Sequence, residues 1–492
     1  MTKTSHLLIG VGVTLPDIGD TQAGDERADD DRRNDALMLL YVKFQRSNAL
    51  RLEQAANLTH SQVKRVTMCR PSIFEILLSA ETLLINVAGQ DKPGLMAALT
   101  VILTEYDARM LDIGQAVIHS DLALGILVRL DAAVAKDCQS RLFEAAQAAG
   151  SDLRISTISP DQYTAWLEAS GQPRFILTLL TAGDATSALN AVSSATHQSK
   201  LNIDTMRRLT DRGDADVGDR EDRFCVEMRL RGSAGAVDTL RDRLMERALE
   251  LDFDFSLQQD TVFRRNRRLV AFDMDSTLIR QEVMDELAHR HGVGPAVAQI
   301  TTEAMAGGLD FKESFRRRAA MLKGMPITML DDVAGDVELN NGARRLLQAL
   351  KYFGYKTAVI SGGFQYVGDV LQRQLGIDYV FANKLQHVDG VMTGEVDGDI
   401  VDAQRKAELL RVIAQTEDIA LEQTIAIGDG ANDLPMLAQS GLGVAFHAKP
   451  LVRETARHAI STFGLDAVLY LIGFSDRDID QALSASDDPE LR

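Results

Sequence analysis

From residue 269 onward the chain alternates short, unbroken apolar runs with helix-patterned stretches. LVAF (269–272), KTAVI (356–360), DYVFAN (378–383), TIAIG (424–428) and GLGVAF (441–446) are the runs, and GARRLLQALKYFG (342–354) and RKAELLRVIAQ (405–415) are two of the stretches between them. Apolar runs without polar alternation belong to strands buried on both faces, and strand–helix alternation assembles such strands into a parallel sheet. An α/β, Rossmann-like parallel-sheet domain is therefore expected over 266–475. Ligands on such sheets gather beyond the carboxyl ends of the strands. The chemistry should sit just after each run.

Polar residues collect at those places. Asp273, Asp275, Ser276 and Thr277 follow the first run, Ser361-Gly362-Gly363 the second, and Asp429-Gly430-Ala431-Asn432-Asp433 follow TIAIG, while Lys406 is placed just ahead of the intervening helix. Aspartate is disfavoured in strands and costly to bury as an anion, so clustered aspartates need a reason. Four carboxylates in a dry site repel one another, and a divalent cation removes the conflict. Hard oxygen donors without His or Cys favour Mg²⁺. A metal and a lysine suit phosphoryl transfer, with one aspartate attacking phosphorus and a second carboxylic acid moving protons. Asp273 and Asp275, two residues apart at a strand end, point the same way, one for each task. Taken singly, Asp-x-Asp is also a turn or cap, Ser-Gly-Gly a tight turn, GDGAND an Asx-rich or calcium loop, and Lys406 a solvated helix residue. Their common place after strands of one sheet joins them.

DMDST, SGG, the single lysine and GDGAND resemble the motifs of the haloacid-dehalogenase-like phosphatases, and their spacing is similar to that of the phosphoserine-specific branch. The resemblance covers about residues 266–475. It implies Asp273 as nucleophile and Mg²⁺ ligand, Asp275 as general acid/base with its main-chain carbonyl a further ligand, and Asp429 as the remaining metal ligand. Asp433 would stand in support, and Ser361, Gly362, Lys406 and Asn432 would hold the phosphoryl oxygens. EVMDELAHRH, PAVAQITTEAMAGG and FKESFRRRAAMLKG, within 280–340, read as helices and suit a small cap that closes over the site. The family pattern matches Glu282 to the ammonium and Arg318 to the carboxylate of O-phospho-L-serine, the latter a bidentate contact. Each residue also has a plainer reading: Glu282 suits a first helical turn, and Arg318 lies in Arg316-Arg317-Arg318, which suits a solvated face. Met305 and Phe311 fit the family's apolar cap positions and fit core packing equally well. The implied reaction is Mg²⁺-dependent hydrolysis of O-phospho-L-serine to L-serine and phosphate through an aspartyl-phosphate, the last step of serine biosynthesis. The competing readings are a related phosphatase or phosphotransferase acting on another small phosphate ester, and an amino-acid-sensing regulatory protein with an inert phosphatase domain. The second predicts a damaged nucleophile or metal ligand, yet Asp273, Asp275, Lys406 and Asp429 are all present.

Ahead of this domain the pattern is strand, helix, strand, strand, helix, strand over 80–160, and it recurs over 172–258. An internal duplication of a ferredoxin-like βαββαβ unit is expected. The pair resembles ACT domains, which implies an amino-acid effector and self-pairing, hence a homodimer. In the first copy the turn from Gly89 to Leu95 offers Asp91 and Gly94 as effector-binding positions at a helix N-terminus, or Pro93-Gly94 simply starts the helix. The second copy has TAGDATS there, without Pro-Gly, and suits packing. Residues 1–79 form an extension in which GDERADDDRRND (24–35) reads as a solvated or disordered segment between amphipathic helices. The run 211–222 reads as a charged loop, FRRNRR (263–268) as a domain junction, and 476–492 as a tail.

The net charge of −18 argues against sequence-independent nucleic-acid binding, which needs a basic face. The three cysteines, Cys69, Cys138 and Cys225, form no CxxC pair, so neither a disulfide framework nor a zinc site is expected, and a reducing cytoplasm is the natural compartment. No apolar run approaches the ~18–20 residues of a membrane span, and LLIGVGVTL near the N-terminus has no cleavage pattern after it.

Overall fold

The computed structural model describes residues 80–211 and 223–485. The expected helices and charged segment of 1–79, the charged loop beyond Asp211, and the end of the expected tail lie outside the described residues. The chain divides into two compact units, one through Tyr163 and one from Thr164 onward, each described by itself.

In the first unit the strands are β1 (Ala80–Gln90), β2 (Arg109–Ile118), β3 (Asp121–Asp131) and β4 (Asp152–Ile158), with helices α1 (Leu95–Glu105) and α2 (Ala132–Ala148). The sheet order is β2-β3-β1-β4, every pairing antiparallel, which is the expected ferredoxin-like arrangement. Leu83, Ile85 and Val87 alternate along β1 onto the covered face, where they pack with Leu99 and Ile102 of α1 and Leu142 of α2. Asp131 caps α2 by accepting from the Ala133 N–H. Asp91 and Gly94 lie in the exposed turn before α1; Gly94 takes a left-handed φ of 97°, and no side chain caps the helix. Helix α3 (Pro160–Ser170), unread in the sequence, follows β4.

The second unit opens with the second copy: β5 (Arg174–Thr181), α4 (Ala185–Gln198), β6 (Asn202–Arg208), β7 (Phe224–Arg231), α5 (Ala234–Leu251) and β8 (Phe253–Gln259), in sheet order β6-β7-β5-β8. Asp184 of TAGDATS accepts from the Thr186 and Ser187 N–H groups, so this turn supplies a helix cap.

A seven-stranded sheet follows, in order β12-β11-β10-β9-β13-β14-β15. Its strands are β9 (Leu269–Phe272), β10 (Lys356–Phe364), β11 (Tyr379–Val388), β12 (Val391–Asp397), β13 (Thr424–Gly428), β14 (Leu442–Phe446) and β15 (His458–Ile460). All pairings are parallel except the β11–β12 hairpin. Both faces are covered, as unbroken apolar strands demand. Val270, Phe272, Val359, Ile425 and Ile427 face one core, and Leu269, Ala271, Ala358, Ile360 and Ala426 face the other. Each fully buried Phe or Ile contributes about 1.5–3 kcal/mol. Between β9 and β10 come α6 (Val283–Arg290), α7 (Gly294–Met305), α8 (Phe311–Met321), α9 (Thr328–Asp336) and α10 (Ala343–Tyr352). The first three are the helices expected between 280 and 340, and α9, in a stretch the sequence left unassigned, adds a fourth. Helix α11 (Gln365–Leu375) follows β10, α12 (Ala403–Thr416) precedes β13, and α13 (Leu434–Gln439) follows it. Residues 476–484, expected to begin a tail, instead form helix Asp476–Ser484, which buries Ile479, Ala482 and Leu483 in the larger core. Among the described residues no helix is long and apolar enough to cross a membrane.

Candidate active site

The chain runs outward from β9 through β10 to β11, then returns past β9 to β13 and on to β14. The strand order reverses at β9, and the crevice lies beyond the carboxyl ends of β10, β9 and β13. Asp273 directly follows β9, its backbone N–H donating to the Ile427 carbonyl of β13 at 2.9 Å. Its Oδ1 accepts from the Met274 N–H at 2.7 Å, and its Oδ2 faces Lys406 Nζ at 2.8 Å. The two aspartates are tolerated because the strand stops here: Asp275 lies already in the turn, where Ser276 adopts a left-handed φ of 58°.

Lys406 is fully buried, within the first turn of α12 and not ahead of that helix as expected. Asp402 caps this turn by accepting from the Arg405 N–H at 2.8 Å. The ammonium bridges Asp273 and Asp433, the latter at 2.7 Å. Burial alone would lower the lysine's pKa, but the Asp273 and Asp433 carboxylates outweigh it and the net shift is upward. Asp433 turns back on its own loop, its Oδ2 accepting from the Gly430 N–H at 3.0 Å. Gly428 allows this close approach, because a Cβ there would lie 2.4 Å from the Asp433 Cγ.

Carboxylate oxygens of Asp273, Asp429 and Asp433 converge within 4.8 Å of one another. Burial and then repulsion from Asp273 raise Asp429 to about 6, although a hydrogen bond from Thr277 Oγ1 opposes the shift. Burial and Asp273 also push Asp433 upward. Three converging oxygen donors, two of which (Asp429 and Asp433) are pushed toward the neutral acid, fit a hard divalent ion. Asp275 stands beside this cluster. Burial, then the charges of Glu282 and Asp273, hold its pKa well above the carboxylate range, and its Oδ1 is shut off from water with no hydrogen-bond partner.

The Ser361-Gly362-Gly363 turn ends β10, with the buried Ser361 Oγ accepting from the Gly363 N–H at 2.9 Å. A Cβ on Gly363 would meet Asp275 Oδ2 at 2.6 Å, so glycine is needed for the two segments to touch. Asn383, which the sequence reading did not single out, pins this turn: Nδ2 donates to the Gly362 carbonyl and Oδ1 accepts from the Val401 N–H, each at 2.8 Å. It directly follows the apolar run of DYVFA, midway along β11, and its place after that run was the signal in the sequence. Asn432 is half-buried in the loop before α13.

The helices between 280 and 340 contribute Glu282 and Arg318. Glu282 precedes α6 but does not cap it; its Oε1 accepts from Ser276 Oγ at 2.7 Å. In the arginine triplet, Arg316 and Arg317 are exposed, whereas Arg318 is half-buried with Nε enclosed and unpartnered. Burial lowers its pKa, and Asp285, Glu282 and Asp275 pull against that loss. Helical geometry separates the three, because neighbouring residues project about 100° apart. Phe311 packs near the Ser361-Gly362-Gly363 turn, its ring 2.9 Å from where a Gly362 Cβ would stand. Met305 is 69% exposed, so core packing does not account for it.

The haloacid dehalogenase-like hydrolase family matches residues 270–438. The ACT domain family matches residues 81–156. A phosphoserine phosphatase of Mycobacterium tuberculosis is 38% identical over 82% of this chain and 95% of its own length. One of Streptomyces coelicolor is 38% identical over 83% of this chain and 96% of its own length. Among solved structures, a haloacid-dehalogenase family hydrolase of Salmonella enterica serovar Typhi superposes with a TM-score of 0.53 at 33% identity, covering 61% of this chain and 98% of that one. A probable phosphoserine phosphatase of Vibrio cholerae, unliganded, gives a TM-score of 0.50 at 32% identity, over 66% of this chain and 96% of that one. Carrying a parallel-sheet hydrolase domain behind a duplicated ferredoxin-like unit, the chain belongs to the phosphoserine phosphatase family of haloacid dehalogenase-like hydrolases.

Proposed function

We propose that the protein hydrolyses O-phospho-L-serine to L-serine and phosphate through an aspartyl-phosphate on Asp273, as the last step of serine biosynthesis. The observation that carries this reading is the convergence of Asp273, Asp429 and Asp433 around Lys406, with the protonation-prone Asp275 alongside. Asp273, Asp429 and Asp433, with the Asp275 main-chain carbonyl, would hold Mg²⁺. When bound, that ion supplies positive charge that neutralises the carboxylates and the phosphoryl oxygens.

The Asp273 carboxylate attacks phosphorus as the bond from phosphorus to the serine oxygen breaks. Asp275, kept protonated by burial and its acidic neighbours, gives its proton to that oxygen. The resulting Asp275 carboxylate then takes a proton from water as the water oxygen bonds to phosphorus and the aspartyl ester breaks. Lys406, Ser361, Gly362 and Asn432 surround the phosphoryl oxygens, Lys406 as fixed positive charge where negative charge grows. Glu282 meets the substrate ammonium and Arg318 its carboxylate; the enclosed Arg318 Nε, buried without a protein partner, supports that role. The cap is the natural gate over this site. The molecule works in the cytoplasm as a homodimer, with an amino acid bound near Asp91 and Gly94 of the first ferredoxin-like copy.

A panel of phosphomonoesters tests the assignment. Phosphoserine should be preferred over phosphothreonine, glycerol phosphate and p-nitrophenyl phosphate. Arg318→Ala and Glu282→Ala should raise KM for phosphoserine at least ~10-fold while changing turnover of p-nitrophenyl phosphate little. Equal effects on both substrates would remove the proposed roles of these residues.

A further inference from the structure

The cap is an insertion with two necks, and the structure zips them together. Ile279 on the outgoing neck and Leu339 on the returning neck form an antiparallel bridge. Arg280 N–H donates to the Glu338 carbonyl at 2.9 Å, and Asn340 N–H to the Leu278 carbonyl at 3.0 Å. The Asn340 side chain adds contacts that this pairing does not require. Its Nδ2 donates to the carbonyls of Thr277 at 2.7 Å, Ile279 at 3.2 Å and Ser276 at 3.3 Å. A carboxamide has two N–H groups, so three acceptors converge on two donors.

The segment it grips is the turn on which the chemistry depends. Ser276 holds a left-handed backbone, a conformation costly for a residue with a Cβ and kept only where its surroundings impose it. Asp275 stands immediately before it. Thr277 Oγ1 donates to Asp429 Oδ1 at 3.1 Å, and Ser276 Oγ donates to Glu282. One half-buried carboxamide therefore fixes the backbone that aims Asp275 and supports both Asp429 and Glu282. Without it, three carbonyls would lose a donor and the strained turn would be free to relax.

We propose that Asn340 is a positioning residue for phosphoryl transfer, acting through the Ser276–Ile279 carbonyls to keep Asp275 and Asp429 aligned on Asp273. This rests on the roles assigned to those aspartates above. The test is steady-state kinetics of the full chain with Mg²⁺ on phosphoserine and on p-nitrophenyl phosphate, paired with thermal melts. Asn340→Ala should lower kcat about 10- to 100-fold on both substrates, with KM within about threefold. Asn340→Ser, which keeps one donor, should recover part of the loss. Asn340→Asp, equal in shape but presenting acceptors to carbonyls, should lose at least as much as Asn340→Ala. Asn341→Ala, whose side chain meets Arg280 and not the turn, should stay near wild type. A folded Asn340→Ala with unchanged kcat, a change in KM alone, or failure of every Asn340 variant to fold would overturn the proposal in favour of a purely structural role. A wild type that turns over p-nitrophenyl phosphate but not phosphoserine would refute the substrate reading while the Asn340 comparison proceeds on the other ester. Inactivity on both would sink the two together.

Discussion

Lys406 has no exposed surface, and its ammonium lies between Asp273 and Asp433. Removing one partner of a buried charge cluster leaves the others uncompensated. Lys406→Met should therefore destabilise the metal-free protein by about 3–5 kcal/mol and lower kcat at least ~10³-fold. Melting curves with and without Mg²⁺ measure the first effect; an unchanged melting temperature would mean that the lysine does not hold the carboxylates together. The residue itself was legible, as the one lysine in a compatible place between strands. Its depth was not, because a single lysine in RKAELL carries no sign of burial until the Asp402 cap and the path of the helix are known. Arg318 is similar: the triplet reads as one solvated patch, and only helix phase turns one of its members inward.

At the scale of elements, the long apolar runs became strands where expected. VMTGEVD and HAI did not announce themselves. The first alternates polar and apolar residues in an antiparallel hairpin, and the second spans only His458–Ile460. The hairpin anchors the helical insertion between β9 and β10, since the Gly324 N–H donates to the Met392 carbonyl at 2.9 Å and the Met392 N–H to the Met325 carbonyl at 2.8 Å. The short strand β15 carries His458, whose Nδ1 lies 3.0 Å from Ser256 Oγ of the second ferredoxin-like copy. Burial, then the charges of Arg241, Arg267 and Arg457, push this imidazole down to about 3 from its ordinary 6.5. The folded state thus favours the neutral ring. Its contribution to stability is full above pH 6.5 and is lost as pH falls from 6.5 toward 3. Between pH 7 and pH 5 the loss should be about 2 kcal/mol. Urea titrations at both values measure it, and His458→Gln should flatten the slope. Parallel pH dependence in the two proteins would show that His458 is not the group responsible.

For the molecule as a whole, the duplication was plain in the sequence, but the different fates of the two copies were not. In the second unit the sheet of the second copy is covered on both faces, with Leu180, Leu209 and Cys225 joining the hydrolase core. Polar contacts fasten the same junction. Asp254 accepts from the Ser461 and Thr462 N–H groups at 2.9 Å, and Arg223 meets Asp466 at 2.7 Å. The sequence held a sign of this: FILTLL in β5 is nearly unbroken, whereas an antiparallel strand with one wet face alternates. The carboxylate–lysine cluster was more legible than the junction because strand ends of a parallel sheet must converge, while a docking face can be any apolar surface. That convergence makes the proposed covalent, metal-dependent route directly measurable: phosphate release from O-phospho-L-serine by wild type and Asp273→Asn, each with and without Mg²⁺. Wild type with Mg²⁺ should turn over, chelation should abolish release, and Asp273→Asn should be at least ~10³-fold slower under either condition. Activity retained in Asp273→Asn would rule out the aspartyl-phosphate route, and release indifferent to Mg²⁺ would rule out the metal site.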